Sequence, residues 1–150
     1  MGSALFYHLT RSAPEALLPI LVGKSLDAGW RVELRGTDRP TMARLDESLW
    51  QGDGFLPHGL AGGPHDSMQP VLLTVAGGQG TGNDAACLIT VQGADVTPDE
   101  CTPLERCCIL FDGNDPAALD RAREQWRLLT KAGVAAEYWS EAGGRWERKQ

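Results

Sequence analysis

The sequence predicts an α/β protein in which helices cover both faces of a mostly parallel or mixed sheet. Segments with strand-like and helix-like patterns alternate along the chain, which is the order that a sheet with crossover helices requires. Two short β-branched runs, 71–75 and 87–91, are typical of buried central strands. With 150 residues, 42% hydrophobic and 23% charged, the chain suits one three-layer domain over 1–150.

The N-terminal segment predicts a strand followed by a helix. Residues 4–9 are aromatic and apolar, as a buried strand would be. Ser12 and Glu15 have the spacing of a capping box, so we expect a helix to begin there and to continue at helical spacing to Gly29. Pro19 lies inside this helix and predicts a kink or a later start.

A second strand and helix follow. Residues 30–35 alternate apolar and charged side chains, the pattern of a strand with one wetter face. After a turn at 36–40, an amphipathic helix is predicted from the apolar positions Met42, Leu45, Leu49 and Trp50. Residues 51–70 are a long connection rich in Gly and Pro, and connections of this length are often functional.

The C-terminal half continues the alternation. The predicted strands are 71–75, 87–91 and 107–111. The clearest helix of the chain is predicted over 117–132, where Gly133 ends it. Residues 134–139 and 144–148 close the chain as a strand pair or as a strand and a tail.

The charge distribution excludes a general nucleic-acid coat and favours a small anionic partner. The formal net charge is −6, whereas a protein that coats DNA or RNA needs a basic surface. Residues 1–118 hold seven Lys and Arg against fifteen Asp and Glu, while 119–150 hold seven against five. A locally basic end on an acidic protein suits a small anion better than a duplex.

Apolar runs and cysteines indicate the compartment. The longest apolar run, 16–22, contains Pro19 and is too short for a membrane span, and no cationic start or small-residue cleavage site frames it as a signal peptide. The four cysteines, at 87, 101, 107 and 108, form no C-x-x-C pair, so we expect buried thiols instead of disulfides or a zinc site. The sequence therefore predicts a cytoplasmic protein without a metal, a cofactor or a membrane contact.

Three motifs invite a catalytic interpretation, and each has a simpler one. Residues 80–85 fit the G-x-G-x-x-G/A pattern, but a strand and not a helix is predicted to follow, so we interpret them as a flexible loop. Residues 109–112 resemble a Walker B strand end, but no Walker A motif exists, and Asp112 is expected in a turn or as a helix cap. His58 and His65 have no partner set at defined spacing. No catalytic residue is predicted.

The predicted C-terminal helix carries the clearest binding pattern. Arg123, Arg127 and Lys131 recur every fourth residue and form one basic stripe, and Trp126 lies between this stripe and the apolar one. One interpretation is a solvated cationic face that Trp126 anchors. The other is a pocket for an acidic peptide, in which guanidinium groups bind carboxylates and an apolar hollow takes a hydrophobic side chain.

A second candidate surface lies after the predicted second helix. Trp50, Phe55, Pro57 and His58 form an aromatic and Pro-containing group in a Gly-bounded loop. Such residues either cover a sheet edge or serve as exposed anchors for a protein partner. The pattern alone favours neither.

Short matching segments run through nearly the whole chain. They are 6–7, 29–32, 45–50, 55–58, 122–127, 132–133, 138–139 and 144–146. In their order and spacing the chain resembles the chi-subunit family of the bacterial DNA polymerase III holoenzyme, which is an accessory component of the clamp-loader assembly. The resemblance implies a non-enzymatic α/β adaptor with a nucleotide-binding-like topology and no nucleotide site, which agrees with the missing Walker A motif.

The resemblance also implies two partner surfaces. The psi subunit, or a competing partner such as a helicase-like repair protein, would bind Trp50, Phe55, Pro57 and His58. The acidic C-terminal tail of single-stranded DNA-binding protein would bind the last long helix at Arg123, Trp126 and Arg127. To these three residues we add Lys131 from the basic stripe.

One departure from the family concerns the basic pocket. The family can place a basic residue one turn earlier, where this chain has Leu119 and Asp120, and Arg121 is the candidate that would compensate. A monomer outside the complex is expected, with no direct contact to nucleic acid. Two alternative functions stay open from the residues alone: an inactive or cryptic nucleotide-binding α/β protein, and a direct binder of single-stranded DNA.

Overall fold

The computed structural model describes residues 2–51, 58–62, 65–76 and 82–150, with the side chains of Trp50 and Gln51 outside the description. The strands within these residues are β1 (Ser3–Leu9), β2 (Val32–Gly36), β3 (Gly59–Leu60), β4 (Val71–Val75), β5 (Cys87–Thr90), β6 (Arg106–Asp112), β7 (Ala135–Ser140) and β8 (Glu147–Arg148). The α-helices are α1 (Pro14–Asp27), α2 (Arg39–Gln51), α3 (Pro98–Cys101) and α4 (Pro116–Lys131). A short 3₁₀ turn spans Asp66–Met68.

The strands form one sheet in the order β3-β4-β2-β5-β6-β1-β7-β8. Neighbouring strands are parallel except at one edge, where β8 pairs antiparallel with β7. Strand β1 lies between β6 and β7, with Phe6 next to Ile109 on one side and Tyr138 on the other. The predicted α/β class with a mostly parallel or mixed sheet is confirmed, as is the strand pair at the end of the chain.

Side chains that alternate along β1 show how the layers form. Leu5, Tyr7 and Leu9 belong to a core that β1 shares with α1 and α2, whereas Ala4 and Phe6 belong to a core shared with α3 and α4. Helices therefore cover both faces of the sheet, as predicted. Because full burial of one large apolar side chain stabilises a fold by about 1.5–3 kcal/mol, the second core, which includes Ala122 and Leu129, fixes α4 on the sheet.

The predicted capping box at the start of α1 is wrong. The N-cap of α1 is Ala13, without a side-chain hydrogen bond, and Pro14 occupies the first helical position. The Ser12 hydroxyl donates instead to Oε1 of Glu141 at 2.8 Å, so it is not free to cap the helix. A capping box exists elsewhere, where Thr97 and Glu100 begin the short helix α3.

Two further boundaries differ from the sequence prediction. Helix α1 continues through Pro19, and the carbonyl that Pro19 leaves unpaired belongs to Glu15, which is exposed to water. Strand β2 begins at Val32, two residues later than predicted. Within the described part of 51–70, strand β3 and the 3₁₀ turn add structure that was not predicted.

Candidate functional site

Helix α4 is positioned by a turn and a cap at its start. Oδ1 of Asp112 accepts a hydrogen bond from the backbone N–H of Asn114 at 2.9 Å, which confirms the predicted turn. Oδ1 of Asp115 accepts from the N–H of Ala117 at 3.0 Å and caps the helix. The buried side chains Ala122, Gln125 and Leu129 then hold one face of α4 against the sheet.

A cleft of about 390 Å³ lies between α4 and β7. We call it the α4–β7 cleft, and its lining residues are Leu119, Ala122, Arg123, Trp126, Arg127, Tyr138 and Gln150. Its volume falls within the range of about 300–1,000 Å³ that ligand sites occupy. The cleft combines an apolar floor with a charged rim, as sites for amphipathic ligands do.

The floor of the cleft is aromatic and well supported. The half-buried Trp126 ring meets Phe6 edge-on at 5.2 Å and Tyr138 at 6.0 Å between ring centroids. A 2.7 Å hydrogen bond joins the Tyr138 hydroxyl to Nδ1 of His8. Burial raises the pKa of Tyr138 above its ordinary value, against the opposing charge of Arg123, so the floor is uncharged at neutral pH. These contacts fix the indole while leaving part of it open to the cleft.

Two arginines form the rim of the cleft. Arg123 pairs with Asp120 at 3.5 Å, but both side chains are about 70% exposed and such a pair contributes little stability. No carboxylate in the described residues lies within ion-pair distance of the exposed Arg127 side chain. Both guanidinium groups are therefore available to an anionic ligand.

The structure brings together three of the four residues predicted on α4. Arg123, Trp126 and Arg127 line the cleft, whereas Lys131 is exposed one turn further along and does not line it. Arg121 faces away, since it donates to the carbonyl of Gly93 at 3.3 Å and pairs with Asp95.

Sequence reasoning missed two lining residues that come from other elements. Tyr138 reaches the cleft from β7 and Gln150 from the segment after β8. The signal for Tyr138 was the strand predicted over 134–139, because alternate residues of a strand share a face. Nothing in the sequence pattern placed Gln150 beside α4.

The predicted surface for a second partner falls largely outside the described residues. Phe55 and Pro57 lie outside them, as does the side chain of Trp50. The His58 ring is completely buried, and its Nε2 lies 2.9 Å from the Asp46 carbonyl oxygen and 3.2 Å from Oδ1 of Asp46. His58 thus holds the connection against α2.

A larger cavity, of about 770 Å³, lies where β1 and β6 end. These neighbouring strands lead into α1 and α4 on opposite faces of the sheet, which is the position at which α/β proteins commonly bind ligands. We call it the switch-point cavity. It touches the other side of α4 and shares Ala122 with the α4–β7 cleft.

A carboxylate of the chain itself fills the anion-binding loop beside the switch-point cavity. Oε2 of Glu141 accepts the backbone N–H groups of Thr10, Arg11 and Ser12 at 3.0, 3.0 and 2.8 Å. Burial raises the pKa of this carboxyl, but the bonds from Ser12, Arg11 and Thr10 together hold it below its ordinary value. In dinucleotide-binding α/β proteins, the loop after the first strand holds phosphate at the N-terminus of the following helix.

The remaining motifs are placed as follows. Gly80 and Thr81 lie outside the described residues, and 82–85 lead into β5, so a strand follows this motif as predicted. All four cysteines are buried free thiols. In the described part of the chain, no cluster of three metal-ligating side chains occurs and no helix is long and apolar enough to cross a membrane.

The fold and the α4–β7 cleft together define an α/β protein with an open cationic pocket on its last helix. Residues 1–137 match the family described as DNA polymerase III chi subunit, HolC. The chain therefore belongs to the chi-subunit family, an accessory component of DNA polymerase III, and the resemblance seen in the sequence is confirmed. No curated protein matches the chain. The family match ends at Glu137, one residue before Tyr138.

Proposed function

We propose that this chain is a non-catalytic replication adaptor. It joins the clamp-loader assembly of DNA polymerase III, through the psi subunit or a competing partner, to the acidic C-terminal tail of single-stranded DNA-binding protein. Its membership of the chi family supports the role in replication. The observation that carries the tail-binding role is the α4–β7 cleft, in which two available guanidinium groups border a partly open indole.

The geometry suggests how the tail binds. Arg123 and Arg127 are four residues apart on one helix face, so that both reach acidic side chains or the terminal carboxylate of the same peptide. A hydrophobic terminal residue enters the hollow formed by Trp126 and Leu119. Lys131, one turn beyond the cleft, adds a weaker and more distant attraction.

The adaptor role follows from tethering two contacts. A modest affinity for one tail becomes effective when the protein is also fixed to the polymerase, because many tails are displayed along the coated template. The charged part of the contact weakens with salt, since exposed charges are screened within about 8 Å at physiological ionic strength. The contact to Trp126 supplies the part that salt does not remove.

The filled anion-binding loop supports a role without nucleotide chemistry. Glu141 occupies the three backbone N–H groups that a phosphate would need. The proposed adaptor acts in the cytoplasm, is a monomer outside its complex and uses no cofactor. Two available arginines border one small cleft on a chain of net charge −6, which favours a peptide over a nucleic-acid strand.

Calorimetry with an acidic, Phe-ended peptide tests the proposal. We expect the wild-type chain to bind, and we expect Arg127→Ala and Trp126→Ala each to weaken binding by about tenfold because each removes a central contact. Lys24→Ala, an exposed cation on α1 across the sheet, serves as the matched control and should bind normally. Unchanged affinity in folded Arg127 and Trp126 variants would remove the assignment of the cleft.

The second surface is tested separately. Trp50→Ala or Phe55→Ala should abolish capture of the psi subunit in a pull-down and leave affinity for the tail peptide unchanged. Pro57 and His58 belong to the same proposed surface, and the buried His58 ring contacts Asp46 of α2. Loss of both contacts in one variant would indicate misfolding and not a partner surface.

A further inference from the structure

The last residues of the chain pair with β7 and form one edge of the sheet. The backbone N–H groups of Lys149 and Gln150 both donate to the Tyr138 carbonyl, at 2.6 and 3.4 Å, and the Tyr138 N–H donates to the Gln150 carbonyl at 3.2 Å. Two residues therefore oppose one, which is the pattern of a β-bulge. Bulges at sheet edges commonly redirect side chains towards binding sites.

This bulge brings Gln150 into the lining of the α4–β7 cleft and places Lys149 next to it. The register pairs Trp139 with Arg148, so the next residue, Lys149, lies opposite Tyr138, and directly opposed residues of paired strands share a face. Tyr138 forms part of the cleft floor, and Gln150 is itself a lining residue.

The segment is anchored at its other end as well. Glu141, 5% exposed, begins the connection from β7 to β8 and is bound to the loop after β1 through Thr10, Arg11 and Ser12. Hydrogen bonds therefore fix both ends of 141–150, and the bulge is held in place beside α4.

Lys149 is an exposed and weakly paired cation at this position. Its ammonium group lies 3.2 Å from Oε2 of Glu147. The other oxygen of this carboxylate, Oε1, lies 3.4 Å from Nε of Arg145. All three side chains are at least 42% exposed, and such pairs contribute little stability. Lys149 can therefore exchange Glu147 for a carboxylate of a ligand at low cost.

Helix α4 and strand β7 form two walls of the α4–β7 cleft, and Arg123 and Arg127 are its two cations. We propose that the bulge at Lys149 and Gln150 forms a third wall of this tail-binding site and that Lys149 supplies a third cation. The inference rests on the proposed function of the cleft and goes beyond it, because these residues follow the part of the chain that matches the family. The third cation of the site thus comes from the edge of the sheet, whereas Arg123 and Arg127 come from α4.

Calorimetry of the full chain with the acidic, Phe-ended peptide tests the inference in three variants. Lys149→Ala removes the charge and should weaken binding about threefold, with a reduced salt dependence. Lys149→Pro also removes the N–H that donates to Tyr138, so it should displace the wall and weaken binding by about tenfold. Arg145→Ala removes a cation that shares Glu147 but does not line the cleft, and it should bind like the wild type.

The outcomes separate the inference from the proposed function. If the wild type binds and both Lys149 variants match it, the wall is not part of the site, although the cleft on α4 still is. If the wild type does not bind the peptide, the proposed function fails, and the inference fails with it. Should circular dichroism show that Lys149→Pro is unfolded, Lys149→Ala decides, and equal losses in Lys149→Ala and Arg145→Ala would overturn the specific role of Lys149.

Discussion

The switch-point cavity and the α4–β7 cleft lie on two sides of helix α4. They differ in whether a carboxylate of the chain already binds their anion-binding donors, which are backbone N–H groups in the first and guanidinium groups in the second. At the switch point, three backbone N–H groups are aimed at a carboxylate, and Glu141 of the same chain supplies it. In the cleft, Arg123 has only a weak partner and Arg127 has no carboxylate nearby in the described residues. The first arrangement stabilises the fold, whereas the second leaves binding energy for a partner.

The difference explains how an α/β fold of this topology can serve as an adaptor. The usual ligand position of the fold is satisfied internally, so the switch-point cavity offers no free phosphate-binding loop. Two exposed arginines, Arg123 and Arg127, border a smaller cleft with an aromatic floor on the other side of α4.

The largest expected effect is on the free energy of unfolding and concerns the loop after β1, whose N–H groups bind Glu141. Glu141→Ala leaves the part-buried N–H groups of Thr10, Arg11 and Ser12 without their acceptor, and the loss of a hydrogen bond to a charged group costs about 1.5–3 kcal/mol. We therefore expect the free energy of unfolding to fall by about 3 kcal/mol, as measured by urea denaturation. Glu124→Ala, an exposed change on α4, is the control and should change it by less than about 0.5 kcal/mol. A similar small change in Glu141→Ala would show that the loop is not a stabilising element.

Acid should weaken the same contact. The pKa of Glu141 is lowered in the folded protein, so its stabilising contribution is present above the pKa of the unfolded carboxyl. This contribution is lost as the pH falls through the lower, folded value. In a pH series of urea denaturation, the wild type should lose stability on the acid side, and Glu141→Gln, which has no titrating group there, should lose less. Parallel curves for the two proteins would contradict the role of the charge.

Sequence patterns predicted what depends on neighbours along the chain. Arg123, Trp126 and Arg127 were correctly placed together because the helical period alone makes residues three and four apart adjacent. The alternation of strands and helices gave the α/β class for a similar reason. Lys131 shows the limit of that reasoning, since the stripe on the helix is longer than the cleft beside it.

What depends on distant parts of the chain escaped prediction. The pattern of Ser12 and Glu15 indicates a capping box, but a carboxylate 129 residues away binds Ser12 instead. Tyr138 and Gln150 reach the cleft only because β7 is next to β1 and β8 turns back along β7. Strand order and hairpin register are tertiary properties, and local patterning does not encode them.

The smallest expected effect is on peptide affinity and comes from Asp120, an acidic side chain beside the α4–β7 cleft. Asp120 lies 3.5 Å from Arg123, and both groups are exposed, so this carboxylate is a weak competitor for the cation that a ligand would use. Asp120→Ala should therefore bind the acidic, Phe-ended peptide about twofold more tightly at low salt, with the gain fading as salt is added. Glu47→Ala removes the same charge from α2 on the opposite side of the sheet and should leave affinity unchanged. Weaker binding by Asp120→Ala would mean that the pair positions Arg123 and does not compete for it, and the cleft would then resemble the switch point more closely than its exposure suggests.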